Sequence, residues 1–158
     1  MENPPNSLND VFDHLNRKAD LVYRFVVMYN SYISEKHDYG TGELLTMAEA
    51  HTLSSINSNP GITITKLSEL WGHTKGAISQ LASRLEQKGF IERRQMHGNS
   101  KNIHLFSNEK GVEFCRQHMV YDSVEVASTM EQLLKEGCTM AEIDCFFKVM
   151  EKYVSILS

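Results

Sequence analysis

Thr65-Lys-Leu-Ser-Glu-Leu-Trp-Gly-His-Thr-Lys-Gly-Ala-Ile-Ser-Gln-Leu81 has the internal spacing of two short helices joined by a tight turn. Ser68 is small enough to let the helices approach, and Gly72 supplies the positive backbone dihedral of the turn. Ile78 is placed to fill the angle between the helices with Leu67, Leu70, Leu81 and Leu85. Such helix pairs also occur in proteins that never touch DNA, so the flanking sequence decides what this one means. Downstream, Gly89 ends the second helix, and Phe90-Ile-Glu-Arg-Arg-Gln-Met96 and Lys101-Asn-Ile-His-Leu-Phe106 can pair as a hairpin with the tip His97-Gly-Asn-Ser100. Ile103 and Leu105 alternate with Asn102, His104 and Phe106, as a strand with one face on a core requires, and the Gly-Asn tip suits a turn. A helix-turn-helix followed by a basic hairpin is a winged helix.

Working upstream, Ile62-Thr-Ile64 is too short to be more than a one-bridge strand, and Asn59-Pro60-Gly61 forces a turn. Thr46-Met-Ala-Glu49 has the spacing of a capping box, which opens a helix running to about Ser58. Before it, Leu8, Val11, Phe12, Leu15, Ala19, Val22, Phe25, Val26, Tyr29 and Ile33 recur at threes and fours, the stripe of a long amphipathic helix that Gly40 and Gly42 break. At the other end, Val112, Cys115, Met119, Val126, Met130 and Leu133 share a face of a long helix ending near Gly137. A second capping box, Thr139-Met-Ala-Glu142, starts a last helix with Ile143, Phe146, Phe147, Met150, Val154 and Leu157 on one side. The fold class is therefore mainly α with a small β-wing. A winged helix-turn-helix at 44–107 is flanked by long helices at 1–38 and 108–158. Those helices carry more apolar surface than the small winged module can cover, so they pack either as an intramolecular bundle or on another copy.

The 158 residues carry a formal net charge of −4, which alone would count against a nucleic-acid partner. Between Lys66 and Lys101, however, Lys66, Lys75, Arg84, Lys88, Arg93, Arg94 and Lys101 stand against only Glu69, Glu86 and Glu92, seven minus three, or +4; the remainder carries −8. An acidic body with one basic segment suits a protein that offers a single face to an anion. The longest apolar run, Leu21 to Tyr29, is interrupted by Arg24 and too short to cross a bilayer, and Met1 to Asp10 holds no apolar signal. A soluble cytoplasmic protein with no membrane partner is expected. Cys115, Cys138 and Cys145 are odd in number and lack paired-ligand spacing, which reads as reduced thiols. No Gly-rich phosphate loop or nucleophile signature is present, so neither an enzyme nor a cofactor is expected.

Three stretches together resemble the MarR family of bacterial transcription regulators: Leu45-Thr-Met-Ala-Glu-Ala-His-Thr-Leu53, Ile78-Ser-Gln-Leu-Ala-Ser-Arg-Leu-Glu-Gln-Lys-Gly-Phe-Ile-Glu-Arg93 and Phe106-Ser-Asn-Glu-Lys-Gly111. The resemblance extends over nearly the whole chain. It departs at the wing tip, where the family's usual Asp-Arg-Arg or Asp-Arg-Ser is replaced by Asn99-Ser100-Lys101. The resemblance implies that the flanking helices pack on their symmetry mates. The resulting homodimer would present two recognition helices to double-stranded DNA at half-sites about 10 bp apart. It further implies a regulator, in the first instance a repressor, released by a small-molecule effector. A protein-contact module of the same fold is the rival reading.

Within the recognition helix, Thr74, Lys75, Gly76, Ser79, Gln80, Ser83 and Arg84 are expected to face DNA, joined by Arg94, Asn99, Ser100 and Lys101 from the wing. Gln80 suits adenine, Lys75 and Arg84 suit guanine or phosphate, and Thr74 and Ser79 suit the backbone. The family places its effector where the dimer helices meet the winged module, and there Met28, Tyr32, Met47, His51 and Trp71 could line a crevice. Some members sense zinc through ligands on helices one, two and five. His37, Asp38, His51, Cys115 and His118 fall in broadly those regions, and Cys115 and His118 are three apart on one helix. Their spacing matches inexactly, so the expectation is no metal, with an unbound core cysteine beside a surface histidine. Other members use oxidation of a cysteine near the start of helix one, where this chain has none, which leaves its thiols structural.

Overall fold

The computed structural model describes residues 7–96 and 99–157, with Met96 and residues 99–102 described by backbone alone. The chain opens with α1 (Leu8–Ser34), whose first turn is capped by the Ser7 hydroxyl accepting from the Asp10 N–H at 3.1 Å. No residue of α1 is buried. After it, β1 (Lys36–Asp38) pairs antiparallel with β2 (Leu44–Thr46), a small hairpin that the sequence reading missed. The turn between them is held by the Asp38 carboxylate, which accepts N–H bonds from Gly40, Thr41 and Gly42. Asp38 is thereby committed to its own turn.

The helix α2 (Met47–Ser58) begins at the expected capping box: Glu49 N–H donates to Thr46 Oγ1 at 3.2 Å, and Thr46 N–H donates to Glu49 Oε2 at 3.1 Å. Then come β3 (Ile62–Thr63), α3 (Ile64–Trp71), α4 (Lys75–Gln87), β4 (Ile91–Met96) and β5 (Asn99–Ser107). The three strands form one antiparallel sheet in the order β3-β5-β4, with a register irregularity between Gln95 and Met96. Leu105 turns into the core and is fully buried, but Ile103, two residues earlier on the same strand, is exposed.

Two long helices, α5 (Glu109–Lys135) and α6 (Met140–Leu157), complete the chain. Thr139 and Glu142 form the second capping arrangement: the Thr139 N–H donates to Glu142 Oε2 at 2.8 Å, and the Glu142 N–H donates to Thr139 Oγ1 at 3.3 Å. The core lies where α2, α4, the sheet and the first half of α5 meet, around Leu45, Leu53, Ile56, Leu67, Ile78, Leu85, Phe90, Leu105 and Phe114. Gly111 lets α5 approach closely, for a Cβ there would overlap the Phe90 carbonyl. Beyond that first half, α5 and α6 carry Val120, Val124, Val126, Phe146, Val149 and Val154 about half exposed, and of α6 only Ile143 is buried. Among the described residues no helix is long and apolar enough to cross a membrane.

Candidate nucleic-acid interface

The helix pair α3–α4 is built by the residues that the sequence singled out. Ser68 is buried and its hydroxyl donates to the Thr65 carbonyl at 2.7 Å, so its polarity is satisfied in the crowded elbow. Gly72, at φ 61°, adopts the left-handed conformation and closes α3 by donating its N–H to the Ser68 carbonyl. Thr74 caps α4 by accepting from the Ala77 N–H at 3.2 Å. Ile78 and Leu85 are fully buried and Leu67 packs with them, but Leu70 is 60% exposed and takes no part in the elbow. On a short amphipathic helix Leu67 already fills the inward position, and Leu70 falls beside it towards solvent.

The outer side of α4 presents Lys75, Gly76 and Gln80 exposed and Ser79 half-buried. Lys75 has no acidic partner among the described residues. Gln87, seven residues after Gln80, continues the same exposed row, a position that heptad spacing from Gln80 could have supplied. Two expected outward residues turn elsewhere. The Ser83 hydroxyl donates to the Ser79 carbonyl at 2.9 Å and accepts from Arg93 Nη2 at 2.7 Å, tying α4 to the wing. Arg93 also lies 2.9 Å from the Glu86 carboxylate. Arg84 does not stand free to read a base: its Nε donates to Glu49 Oε1 at 2.9 Å, while Lys88 Nζ donates to Glu49 Oε2 at 3.0 Å and to the Leu44 carbonyl at 3.0 Å. The cause is Glu49, whose side chain is 3% exposed and whose charge would be untenable there without a cation. Burial alone would push that carboxyl up, but the hydrogen bonds from Lys88, the Thr46 N–H and Arg84, with the charge of Lys88, hold it below the ordinary carboxylate value.

On the wing, Arg94 reaches solvent but is paired with Glu92 at 2.8 Å and lies 4.8 Å from the centroid of the Phe106 ring. The side chains of Asn99, Ser100 and Lys101, like His97, lie outside the described residues.

Where the flanking helices meet the winged module, a chain of rings runs from Tyr32 (α1) to His37 at 4.8 Å between centroids, on to Tyr39 at 6.2 Å and to His118 (α5) at 4.7 Å. It continues to His51 (α2) at 5.0 Å and Trp71 (α3) at 6.0 Å. Of the five residues expected to line a crevice here, Tyr32, His51 and Trp71 belong to this path. Met47 touches it through the Tyr29 hydroxyl at 3.7 Å, and Met28 stands 69% exposed on α1. Burial, then the neighbouring Tyr121, pushes the Tyr32 phenol up to about 12. Burial likewise pushes Tyr39 up to about 12.

His118, expected at the surface, is instead 3% exposed, because its face of α5 packs on α2 and Tyr39. Burial, outweighing the nearby Asp122 carboxylate, pushes its imidazole below the ordinary value and keeps it neutral. Its Nδ1 meets the Ser54 hydroxyl at 3.4 Å, and its Nε2 lies 3.5 Å from Asp122 Oδ1. The buried Cys115 thiol is raised by burial and meets Ser54. The groups brought together are His51, His118 and Asp122, whose ligand atoms all lie within 4.8 Å of one another. Asp122 was missed, although its i,i+4 spacing from His118 was the available signal. A separate open groove of about 770 Å³ lies beside the turn before β3, between Thr65, Lys66, Glu69 and His104.

Residues 45–103 match the model of the MarR family. The chain is 30% identical over 84 residues to YhjH, an uncharacterized HTH-type transcriptional regulator of Bacillus subtilis (strain 168), covering 53% of this chain and 48% of that one. It is 37% identical over 78 residues to the transcriptional repressor MprA of Escherichia coli (strain K12), covering 49% and 43%. The matches thus span about half the length of these curated relatives. A mutant MarR from E. coli, solved in complex with operator DNA, shares the fold with a TM-score of 0.63 at 21% identity over 94% of this chain and 99% of that chain. The segment 45–103 thus matches the MarR family, and the winged-helix architecture built around it is the fold of that solved structure.

Proposed function

We propose that this chain is a sequence-specific transcription repressor that binds a pseudo-palindromic operator in double-stranded DNA as a homodimer and is released by a small-molecule effector, acting in the cytoplasm. The observation that carries the reading is the exposed polar row of α4, with Lys75, Gly76 and Gln80 outward on a helix whose opposite side is fixed by Ile78, Leu81 and Leu85. A helix of this kind fits a major groove about 12 Å wide. Gln80 reads an adenine edge, Lys75 a guanine or a phosphate, and Thr74 and Ser79 hold the backbone. Ser83 and Arg84 act indirectly, fixing α4 to the wing and to α2, while Arg94, Asn99, Ser100 and Lys101 place the wing on the neighbouring backbone. An effector seated among Tyr32, Met47, His51 and Trp71, with Met28 at the rim, would contact both the flanking helices and the winged module. If it binds better when the two recognition helices are wrongly spaced, it shifts population away from the DNA-competent state. The test is selection of bound sequences from a random duplex pool. The expected outcome is an enriched inverted repeat with half-sites about one helical turn apart. Failure to enrich any inverted repeat removes the proposal.

A further inference from the structure

The segment from Lys66 to Lys101 sets seven cations against three carboxylates by sequence, yet four of those cations are engaged within the fold: Arg84 and Lys88 by Glu49, Arg93 by Glu86 and Arg94 by Glu92. Lys66 and Lys75 have no acidic partner among the described residues. We propose that Glu49 is a specificity-determining residue for DNA: by holding Arg84 and Lys88 on a buried carboxylate it withholds two cations from the phosphate backbone, so that discrimination between duplexes falls on Gln80 and Lys75. This rests on the DNA-binding reading above. Three observations carry it.

The first is burial. The Glu49 side chain is 3% exposed, whereas those of Glu86 and Glu92 are 43% and 51% exposed. An ion pair open to water on both sides is worth little, so a phosphate can compete for Arg94. Glu49 is different, because a cation that left it for a phosphate would leave a buried charge uncompensated. The second is geometry. Arg84 Nε donates to Glu49 Oε1 at 2.9 Å and Lys88 Nζ to Oε2 at 3.0 Å, one cation to each oxygen, and Lys88 is further tied to the Leu44 carbonyl at 3.0 Å. The carboxylate is itself held in place by the Thr46 N–H, which donates to Oε2 at 3.1 Å. The third is position. Arg84 lies one turn after Gln80 on the same side of α4, and its side chain is still 49% exposed. Freed from Glu49, it could reach a phosphate beside the groove that Gln80 faces. Phosphate contacts strengthen binding to every duplex alike, whereas base contacts strengthen binding to one sequence, so each cation withheld raises the ratio between them.

The full chain is compared as wild type, as Glu49→Gln, and as Glu49→Gln combined with Arg84→Gln and Lys88→Gln. Each is titrated with the enriched operator and with a random duplex of equal length between about 50 and 200 mM salt. Glu49→Gln should bind the random duplex more tightly, with a salt slope steeper by about one for each cation released, and its ratio of operator to random affinity should fall about tenfold. The triple variant should return both to the wild-type values. Lost stability alone lowers the active fraction, which weakens binding to both duplexes together and leaves the slope as it was. An unchanged slope and ratio in Glu49→Gln, or a change that persists in the triple variant, overturns the proposal; if the triple variant does not fold, the slope of Glu49→Gln decides. A pool that enriches no operator would remove the sequence-specific reading instead, and the slope on the random duplex would still report whether Glu49 withholds the two cations.

Discussion

Glu49 has both carboxylate oxygens engaged: one accepts from Arg84, and the other from Lys88 and the Thr46 N–H. Replacing it with Gln would keep a shape that can cap α2 but leave two cations facing a neutral group, so Glu49→Gln is expected to cost about 1–3 kcal/mol in denaturant unfolding. Because its folded-state pKa is depressed below the ordinary value of 4.5, the charge contributes stability that is fully present above that value. This stability is lost as the pH falls through the lower folded value. The wild type should thus lose stability in the acid range below pH 4.5 more steeply than Glu49→Gln, and parallel curves for the two proteins would exclude the assignment. A different constraint acts at Gly111, where the Phe90 carbonyl occupies the space that a Cβ would need. Backbone cannot yield as a flexible side chain does, so Gly111→Ala should destabilise by about 1–3 kcal/mol through overpacking, read as a lower melting temperature.

Between elements, the decisive contact is Arg93 from β4 bridging Ser83 and Glu86 of α4. It fixes the angle between recognition helix and wing, so Arg93→Ala should weaken operator binding while leaving Gln80 accessible. The two DNA-facing roles proposed for Gln80 and Lys101 would separate by sequence dependence. Gln80→Ala should cost roughly 1–3 kcal/mol on the preferred operator only, whereas Lys101→Ala should weaken all duplexes and shallow the salt slope by about one. Equal losses on random DNA for both variants would remove the distinction. What the sequence disclosed at this scale was local. Both capping boxes, Gly72 in the turn and Gly89 at the end of α4 depend on residues a few positions apart, and they stand where spacing put them. What it concealed depends on partners far along the chain. Arg84 meets Glu49 35 residues away and His118 meets Ser54 64 residues away, and no periodicity within α4 or α5 announces either contact. The same reason hid the approach of Asp122 and His118 to His51.

At the scale of the molecule, the surface area sets the problem. A compact monomer of 18.0 kDa exposes about 8,050 Å² by the usual scaling, and this chain exposes 11644 Å². The excess, about 3,600 Å², is ample for one side of an obligate homodimer interface, which buries about 2,000–5,000 Å² over both partners. It is also concentrated where the packing within one chain stops: no residue of α1 is buried, and α6 buries only Ile143 while Phe146, Phe147, Val149, Tyr153 and Val154 remain about half exposed. An intramolecular bundle would have covered these faces, and it does not. On the proposed reading, a second copy of the same surface would satisfy them and would set two α4 helices at a fixed separation. Placing charges in that face should therefore separate the protomers without unfolding them, since Phe146 and Val154 contribute little to the core of a single chain. The double variant Phe146→Glu, Val154→Glu is expected to sediment as a monomer with unchanged helical content. It should also lose most affinity for a full operator, because each chain then holds a single half-site. A variant that remained dimeric would place the interface on another face, and one that was monomeric yet bound the full operator as tightly as the wild type would show that two-fold spacing is not what the operator selects.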